Sequence, residues 1–475
     1  MFALPLLPRS TMDLSPSFKA YDVRGLVGVS ITAESAEAVG AAFVDTLDLS
    51  GKSIACGGDM RPSSPEFSRA FAVGATRRGA NVLDLGQIST DELYFACGAL
   101  DMAGAIFTAS HNPAEYNGIK MAKAGAVPVS ADTGLNAIRD LAQQYLDTGI
   151  PTVQAEGKIS ALDVLEAYAE KLRSLVPLDG IRPLKVVVDA GNGMAGLTVP
   201  AVLGAQYYPG LPLTVVPLYF ELDGTFPNHP ANPLEPDNLR DLQAAVVAHG
   251  ADLGLAFDGD ADRCFVVDEA GRPVTPSAIT ALIAVREIAR ARTAGEAEPV
   301  IIHNLITSRA VPEFVLSAGG RPVRTRVGHS FIKARMAEEG AVFGGEHSAH
   351  YYFRDFYNAD TGMLAAMHVL AALGGQAQPL SELAREYDPY AASGEINSAV
   401  AGVAGTVARV RAAYEGSAAA LLEELDGLSV TDPSGNWWFN LRASNTEELL
   451  RLNVEAADAT TMAQVRDAVL AEIRR

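Results

Sequence analysis

Short apolar runs alternate with helix-periodic stretches along most of this chain. From residue 52 the pattern predicts a strand over 52–56, a helix over 66–78, a strand over 81–85, a helix over 91–100, a strand over 104–107 and an amphipathic helix over 132–146. Strands alternating with helices predict a mostly parallel sheet covered on both faces. Gly149-Ile150-Pro151 closes that unit, and the rhythm resumes with a long helix over 160–175, strands over 184–188, 213–216 and 252–257, and a helix over 237–249. A third unit offers a helix over 276–292, a strand over 300–303, and helices starting at Ser308 and Ser330. Beyond a short flexible connection at 373–379 the character changes, with a helix over 407–425, strands over 437–441 and 449–454, and a closing helix over 462–473.

These elements predict an α/β protein: three successive α/β domains with mixed, mostly parallel sheets plus a smaller C-terminal α+β domain, around a central cleft. The expected bounds are a loose tail over 1–14, then domains over 15–155, 156–268, 269–372 and 373–475. In such sheets ligands bind beyond the carboxyl ends of the strands, so the polar loops that follow the strands are where chemistry is expected.

Composition narrows the function classes. A chain of 475 residues is too long for one core, and 48% hydrophobic with 20% charged residues describes a globular protein. A net charge of −20 argues against nucleic acid or an anionic membrane as partner, because both need basic surface. A small anionic ligand stays compatible where basic groups or a metal gather locally. Cys56, Cys97 and Cys264 include no Cys-x-x-Cys pair, which predicts neither a disulfide framework nor a zinc site and suits a reducing cytoplasm. The opening nonapeptide lacks a basic segment and holds two prolines, so it reads poorly as a signal peptide; the apolar stretch 362–374 is too short to span a bilayer.

Five loops hold candidate chemistry. Thr108-Ala109-Ser110-His111-Asn112-Pro113 follows a strand and presents a serine hydroxyl for nucleophilic work, or is simply a turn. Asp258-Gly259-Asp260-Ala261-Asp262-Arg263 places three carboxylates after another strand, where a cation must neutralise them. An EF-hand is excluded by Arg263 at the sixth position and by flanking strands, although Glu269 falls at the twelfth; Mg²⁺ suits so few ligands. A phosphatase with Asp258 as nucleophile and a solvated acidic turn are the other readings. Gly191-Asn192-Gly193-Met194-Ala195-Gly196 matches the dinucleotide pattern G-x-G-x-x-G, with Glu221 near the end of the next strand, or is a tight strand-to-helix turn. Gly344-Gly345-Glu346-His347-Ser348-Ala349-His350-Tyr351 gathers groups suited to sugar hydroxyls, and upstream His329 and Lys333 share a helix face at i, i+4. Arg442-Ala443-Ser444-Asn445-Thr446 offers a phosphate cradle, or a hairpin turn.

With Lys19-Ala20-Tyr21-Asp22-Val23-Arg24-Gly25 added, the order of these motifs resembles the α-D-phosphohexomutase superfamily, the phosphomannomutase/phosphoglucomutase group, over nearly the whole chain after residue 15. The resemblance implies that Ser110 is a phosphoserine that donates and re-accepts a phosphoryl group. It implies Mg²⁺ held by Asp258, Asp260, Asp262 and the Ser110 phosphate. Glu346 and Ser348 would grip the sugar, Lys333 would contact phosphate, and Arg442, Ser444, Asn445 and Thr446 would hold the phosphate not being transferred. Arg24, His111, Lys120, Arg263 and His329 would stabilise charge or move protons. The family loop commonly continues Thr-Glu-Pro, whereas here Glu448 follows Thr446-Glu447, which removes a fixed φ and adds negative charge.

The expected function is interconversion of hexose 1-phosphate and hexose 6-phosphate through a hexose 1,6-bisphosphate, as a phosphomannomutase with phosphoglucomutase activity. The alternatives are a mutase of another phosphosugar such as glucosamine phosphate, an NAD-dependent oxidoreductase and a non-catalytic phosphosugar-binding relative. The expected partner is the phosphosugar alone, with no nucleic acid and no membrane, for a cytoplasmic monomer or homodimer.

Overall fold

The computed structural model describes residues 12–415, 420–443 and 449–475. By contact density the chain divides into two compact units, the first comprising residues up to Val274 together with Ser348–Ser381, the second Thr275–His347 with Glu382–Arg475.

The first unit holds two sheets. In one, the strands run in the order Val23–Leu26, Tyr116–Lys123, Gly104–Phe107, Ser53–Gly58, Asn81–Gln87 and Ile159–Ala161. Ser53–Gly58 lies parallel to both Gly104–Phe107 and Asn81–Gln87, and Tyr116–Lys123 runs antiparallel along Gly104–Phe107. Helices Ala33–Thr46 and Ser64–Arg77 cover one face and touch nearly backbone to backbone. A Cβ on Gly40 would lie 2.1 Å from the Phe71 carbonyl oxygen, and one on Gly74 1.9 Å from that of Glu37, so only glycine permits this crossing. Phe71 fills the layer beneath, its ring 5.5 Å from Phe43 and 5.8 Å from Phe107.

The second sheet orders Pro273–Val274, Cys264–Asp268, Leu253–Phe257, Leu184–Asp189 and Leu213–Leu218. The last three are parallel, and Cys264–Asp268 returns antiparallel on Leu253–Phe257. A hairpin of Tyr351–Phe353 and Ala359–Asp360 and the buried helix Gly362–Gly374 complete this unit. Cys56, Cys97 and Cys264 are buried and form no disulfide.

In the second unit, Arg321–Thr325, Val300–Asn304 and Phe343–Gly345 are parallel strands flanked by helices Pro276–Thr293, Ala310–Ser317 and His329–Glu339. The C-terminal part is antiparallel, in the order Ala391–Ala399, Leu449–Ala456, Trp437–Ala443, Leu428–Thr431 and Leu421–Glu423. Val410, Phe439, Leu452, Val469 and Ile473 form its core beneath helices Val403–Tyr414 and Ala459–Ile473. The expected α/β class, with mostly parallel sheets and an α+β C-terminal part, is what the chain forms. Among the described residues no helix is long and apolar enough to cross a membrane.

Four local expectations fail. The helix expected over 160–175 spans Leu165–Leu175, because Ile159–Ala161 pairs parallel with Val82–Asp84 and the Asp163 carboxylate then accepts the Leu165 N–H at 2.9 Å, starting the helix late. The helix expected over 407–425 is instead Val403–Tyr414, and Leu421–Glu423 pairs antiparallel with Ser429–Thr431 around Gly427, whose φ is 72°. The loose tail expected over 1–14 does not hold for its described residues, since Leu14 is buried and Gln143 bonds both its N–H and the Met12 carbonyl; residues 1–11 lie outside the described residues. The connection at 373–379 is tied down, since the Gly374 and Gln376 carbonyls accept from Arg182, and the passage between units falls at Ser381–Glu382.

Helix Thr90–Ala99 begins with a capping box in which Glu92 Oε2 accepts the Ser89 N–H at 2.8 Å. Burial pushes the Glu92 carboxyl up to about 8 from its ordinary 4.5, with the bonds from Ser89 offsetting only part of that. The folded state therefore holds a proton that the unfolded chain releases, and the group's contribution to stability is full below about pH 4.5 and lost as pH rises through about 8. Glu92→Gln keeps the cap without a titratable group. Its thermal midpoint relative to the parent is expected to rise steadily from pH 5 to pH 8, and a pH-independent difference in thermal melts would contradict this.

Candidate active site

Strand Gly104–Phe107 ends at Thr108, and the chain turns sharply through Ser110, whose φ of 49° is left-handed. A non-glycine residue there costs of order 1–3 kcal/mol and needs outside support. That support comes from Arg61. Its guanidinium donates four hydrogen bonds to main-chain carbonyls of this loop, to Ser110 at 2.9 Å, Asn112 at 2.7 Å, Pro113 at 2.7 Å and Tyr116 at 2.9 Å. Arg61 is completely buried and pairs at 3.2 Å with the equally buried Asp59, which also accepts from Ser64 Oγ at 2.7 Å. Thr108 Oγ1 accepts the Ser110 N–H at 2.9 Å. The result is a serine presented at a fixed angle.

Strand Leu253–Phe257 ends at Asp258, and the loop to Cys264–Asp268 carries the three aspartates. Gly259 lies so close to the serine loop that a Cβ would stand 2.5 Å from the Ser110 carbonyl oxygen. Ser110 Oγ donates to Asp258 Oδ2 at 2.7 Å. Asp258, Asp260 and Asp262 are all buried, and one oxygen from each lies within 4.8 Å of the others. At a protein's effective dielectric such a pair repels by roughly 3–4 kcal/mol, so three ionised carboxylates need cations. Arg263 Nη2 bonds Asp258 at 2.8 Å, and Lys120 Nζ bridges Asp260 at 2.7 Å and Asp262 at 2.6 Å. Thr90 Oγ1 adds a bond to Asp260 at 2.7 Å.

Burial pushes Asp258 up to about 7, against the pull of Arg263. Burial would raise Asp260 too, but Lys120 and Thr90 outweigh it and hold that carboxyl well below the usual range. The two aspartates in turn keep Lys120 an ammonium despite burial. Asp260 Oδ1 and Asp262 Oδ1 are buried yet accept no hydrogen bond from any described residue. Hard oxygen donors with orphaned buried atoms fit a small divalent ion such as Mg²⁺.

Arg263 Nη2 also reaches His111 Nδ1 at 2.5 Å and Ser110 Oγ at 3.3 Å. Burial, then Arg263 and Arg24, press the His111 imidazole well below its ordinary value, so it stands here as a neutral acceptor. Arg24 donates to Asn112 Oδ1 at 2.5 Å and pairs with Asp22 at 2.8 Å. The structure thus brings together Ser110, His111, Arg24, Lys120, Arg263 and the three aspartates.

In the second unit Glu346 is buried, and its Oε1 accepts from Asn304 Nδ2 and the Gly328 N–H, each at 3.1 Å. Lys333 is also buried, not part of an exposed basic face. Ser348 belongs to the first unit, where its Oγ lies 3.0 Å from His350 Nδ1. Arg442 is engaged rather than waiting: its Nη2 bonds Glu395 at 2.8 Å, a carboxylate it shares with Arg451 at 3.1 Å. The His329 side chain, Ser444, Asn445, Thr446 and the Glu447-Glu448 pair lie outside the described residues.

The dinucleotide reading of 191–196 fails on space. Gly193 packs beneath the aspartate loop, where a Cβ would lie 2.7 Å from the Gly259 carbonyl oxygen, and a Cβ on Gly196 would lie 2.2 Å from that of Phe220. Those glycines serve main-chain packing, and Met194 donates its N–H to Gly259. Sequence reasoning missed Arg61, Asp59, Asn304 and Glu395. For Arg61 a signal existed, since Asp59-Met60-Arg61 follows a strand that ends at the same sheet edge as Phe107.

Family models match in four consecutive segments: phosphoglucomutase/phosphomannomutase alpha/beta/alpha domain I at 15–148, domain II at 166–271, domain III at 275–390 and the C-terminal domain at 395–472. The chain is 40% identical over 453 residues to a phosphomannomutase of Salmonella montevideo, covering 94% of this chain and 96% of that one. The chain belongs to the phosphoglucomutase/phosphomannomutase family. A second member, named phosphohexose mutases in Xanthomonas campestris pv. campestris, is 39% identical over 97% of this chain and 99% of its own. A crystal structure of a phosphoglucomutase/phosphomannomutase family protein from Burkholderia thailandensis superimposes with a TM-score of 0.85 at 31% identity, covering 98% of each chain. Membership makes the chain a phosphohexomutase, an isomerase.

Arg61→Met removes the clamp and strands Asp59 as a buried charge. It is expected to cost about 3–5 kcal/mol of stability. Adding Asp59→Asn should recover part of that loss, so a urea-denaturation cycle showing strict additivity would contradict the pairing.

Proposed function

We propose that this phosphohexomutase interconverts hexose 1-phosphate and hexose 6-phosphate, as a phosphomannomutase that also accepts glucose phosphates, through a phosphoserine at Ser110 and a hexose 1,6-bisphosphate. The observation that carries this is the Ser110 hydroxyl, held in a left-handed turn 2.7 Å from Asp258 and within reach of Arg263 and His111. The naming of relatives near 40% identity as phosphomannomutases favours mannose over glucosamine phosphate as the sugar.

The Ser110 phosphoryl group passes to the free hydroxyl of the bound monophosphate, breaking the Ser110 Oγ–P bond as the new O–P bond forms and the sugar hydroxyl gives up its proton. The bisphosphosugar turns, its other phosphoryl group returns to Ser110, and the isomeric monophosphate leaves. Arg263 faces the serine oxygen and stabilises charge that develops there. Lys120, held as an ammonium by Asp260 and Asp262, acts as a charge stabiliser and not as a base. Arg24 stabilises charge, and the imidazoles of His111 and His329 move the protons, taking that of the sugar hydroxyl as Ser110 Oγ regains one. Glu346 and Ser348 hold sugar hydroxyls. Arg442 with Ser444, Asn445 and Thr446 holds the distal phosphate, supported by Lys333.

Asp258, Asp260 and Asp262 would hold Mg²⁺ together with a phosphoserine oxygen, and the ion supplies neutralisation of phosphoryl charge. The charge balance supports this. Phosphorylation of Ser110 would add nearly two negative charges beside carboxylates that already need Arg263 and Lys120, and a divalent cation would offset them. We assign the four domains to 15–155, 156–268, 269–372 and 373–475, in a cytoplasmic monomer or homodimer.

Intact mass followed by peptide mapping, before and after incubation with hexose 1,6-bisphosphate, should place one phosphate on Ser110. Ser110→Ala should lose roughly 10³-fold or more in kcat. A fully active Ser110→Ala protein sinks the mechanism. Mannose 1-phosphate should exceed glucose 1-phosphate in kcat/KM in the same assay, and the reverse order would correct the sugar preference.

A further inference from the structure

Arg61 has a side that the serine loop does not occupy. The donors of a guanidinium lie in its plane, and those of Arg61 are turned to the loop carbonyls and to Asp59. One face of the group is covered by Phe226, whose ring centroid lies 5.1 Å from Arg61 Cζ. Phe226 belongs to the segment that follows strand Leu213–Leu218, and it is half-buried where the Arg61 side chain is fully buried. Two residues earlier the main chains touch, since a Cβ on Gly224 would lie 2.5 Å from Arg61 Cα.

The covering segment is pinned in place. Phe226 takes a left-handed φ of 51°, which needs outside support as Ser110 does. Asp223 supplies part of it, its carbonyl accepting the Phe226 N–H at 3.0 Å and its carboxylate the Thr225 N–H at 2.9 Å. Asn192, buried and itself left-handed at 58°, supplies more. Its Nδ2 donates to the Glu221 carbonyl at 2.8 Å, its Oδ1 accepts from Asn228 Nδ2 at 2.8 Å, and its carbonyl accepts the Asp223 N–H at 3.0 Å. Beside it His229 Nε2 lies 3.0 Å from Asp189 Oδ2, at the end of strand Leu184–Asp189. The two residues after Asn192 are Gly193 and Met194, which pack on the aspartate loop. One turn therefore anchors both that loop and the cover over Arg61.

We propose that Phe226 and Asn192 are positioning residues for Ser110, acting through Arg61. The segment 219–229, pinned by Asn192 and His229, closes over the guanidinium and keeps water from its donors. Water admitted there would compete for the four carbonyl bonds, and the left-handed Ser110 would sample other angles. With the cover in place the serine hydroxyl keeps one direction relative to the aspartates. The effect on rate rests on the proposed carrier role of Ser110, but the ordering of the loop does not.

Two variants test this from opposite ends of the segment. Phe226→Leu removes the ring, and Asn192→Gly removes both side-chain bonds while tolerating the left-handed φ. Hydrogen exchange of the full-length protein, read by mass spectrometry without substrate, should speed up about 10-fold across 108–118 in both variants. Exchange in strand Leu253–Phe257 should match the parent. Faster exchange confined to 219–232, with 108–118 unchanged in either folded variant, overturns the proposal. Because no substrate is present, this readout stands even if Ser110→Ala proves active. With Mg²⁺ and hexose 1,6-bisphosphate saturating, kcat should fall about 10-fold in both variants. KM for mannose 1-phosphate should stay within about 2-fold of the parent, and Phe226→Tyr, which keeps a ring over Arg61, should recover most of the lost kcat. A parental kcat alongside faster exchange at 108–118, or a loss that Phe226→Tyr does not recover, would overturn the positioning role.

Discussion

Three buried carboxylates crowded side by side set the terms for the first unit. Asp258, Asp260 and Asp262 sit on one short loop, yet the groups that make them tolerable come from elsewhere: Lys120 from strand Tyr116–Lys123, and Thr90 from the start of helix Thr90–Ala99. Only Arg263 is local. Because the compensation is distributed, the aspartate loop is coherent only when both sheets of the unit are formed and aligned. The same alignment brings Gly259 against the Ser110 carbonyl. Electrostatic relief of the aspartates and placement of the serine loop therefore depend on the same alignment.

The serine loop shows the complementary arrangement. Its strain is local, at the left-handed Ser110, and its support is one buried arginine that satisfies four carbonyls together. A charged clamp for main-chain oxygens looks extravagant, since burying Arg61 and Asp59 costs several kcal/mol in desolvation. An apolar filler, however, would leave those carbonyls unpaired, at about 1–3 kcal/mol each. A clamp of this kind favours one loop geometry over its neighbours, which is what the proposed phosphoryl-carrier role of Ser110 would require.

The sequence made the strand–helix rhythm legible because burial on both faces leaves nearly unbroken apolar runs such as 253–257. Ser110 and the aspartates were legible for the same reason, since each directly follows such a run. Partner choice was not legible. Nothing local says that Arg61 reaches loop 110–116, that Glu395 binds Arg442, or that Asp360 stands near Asp262. The misplaced helix starts came from reading periodicity without caps: Asp163 and the pairing of Ile159–Ala161 delay one helix, and strand pairing around Gly427 claims the far end of another. The glycine pattern at 191–196 misled because glycine serves close packing as readily as phosphate binding.

On the proposed role of Arg442 at the distal phosphate, its ion pair with Glu395 bears on turnover. An arginine kept free for phosphate would bind it tightly, but an intermediate that must turn round needs its distal phosphate released in every cycle. Here Glu395 lies between Arg442 at 2.8 Å and Arg451 at 3.1 Å, and the Glu395 side chain is 27% exposed. In that role, an incoming phosphate would compete with a carboxylate already in place, and a departing one would leave two arginines that pair with it again. Exchanging one anionic partner for another lowers the cost of both binding and release. Reversible grip of that kind suits a site visited twice per cycle better than maximal affinity does.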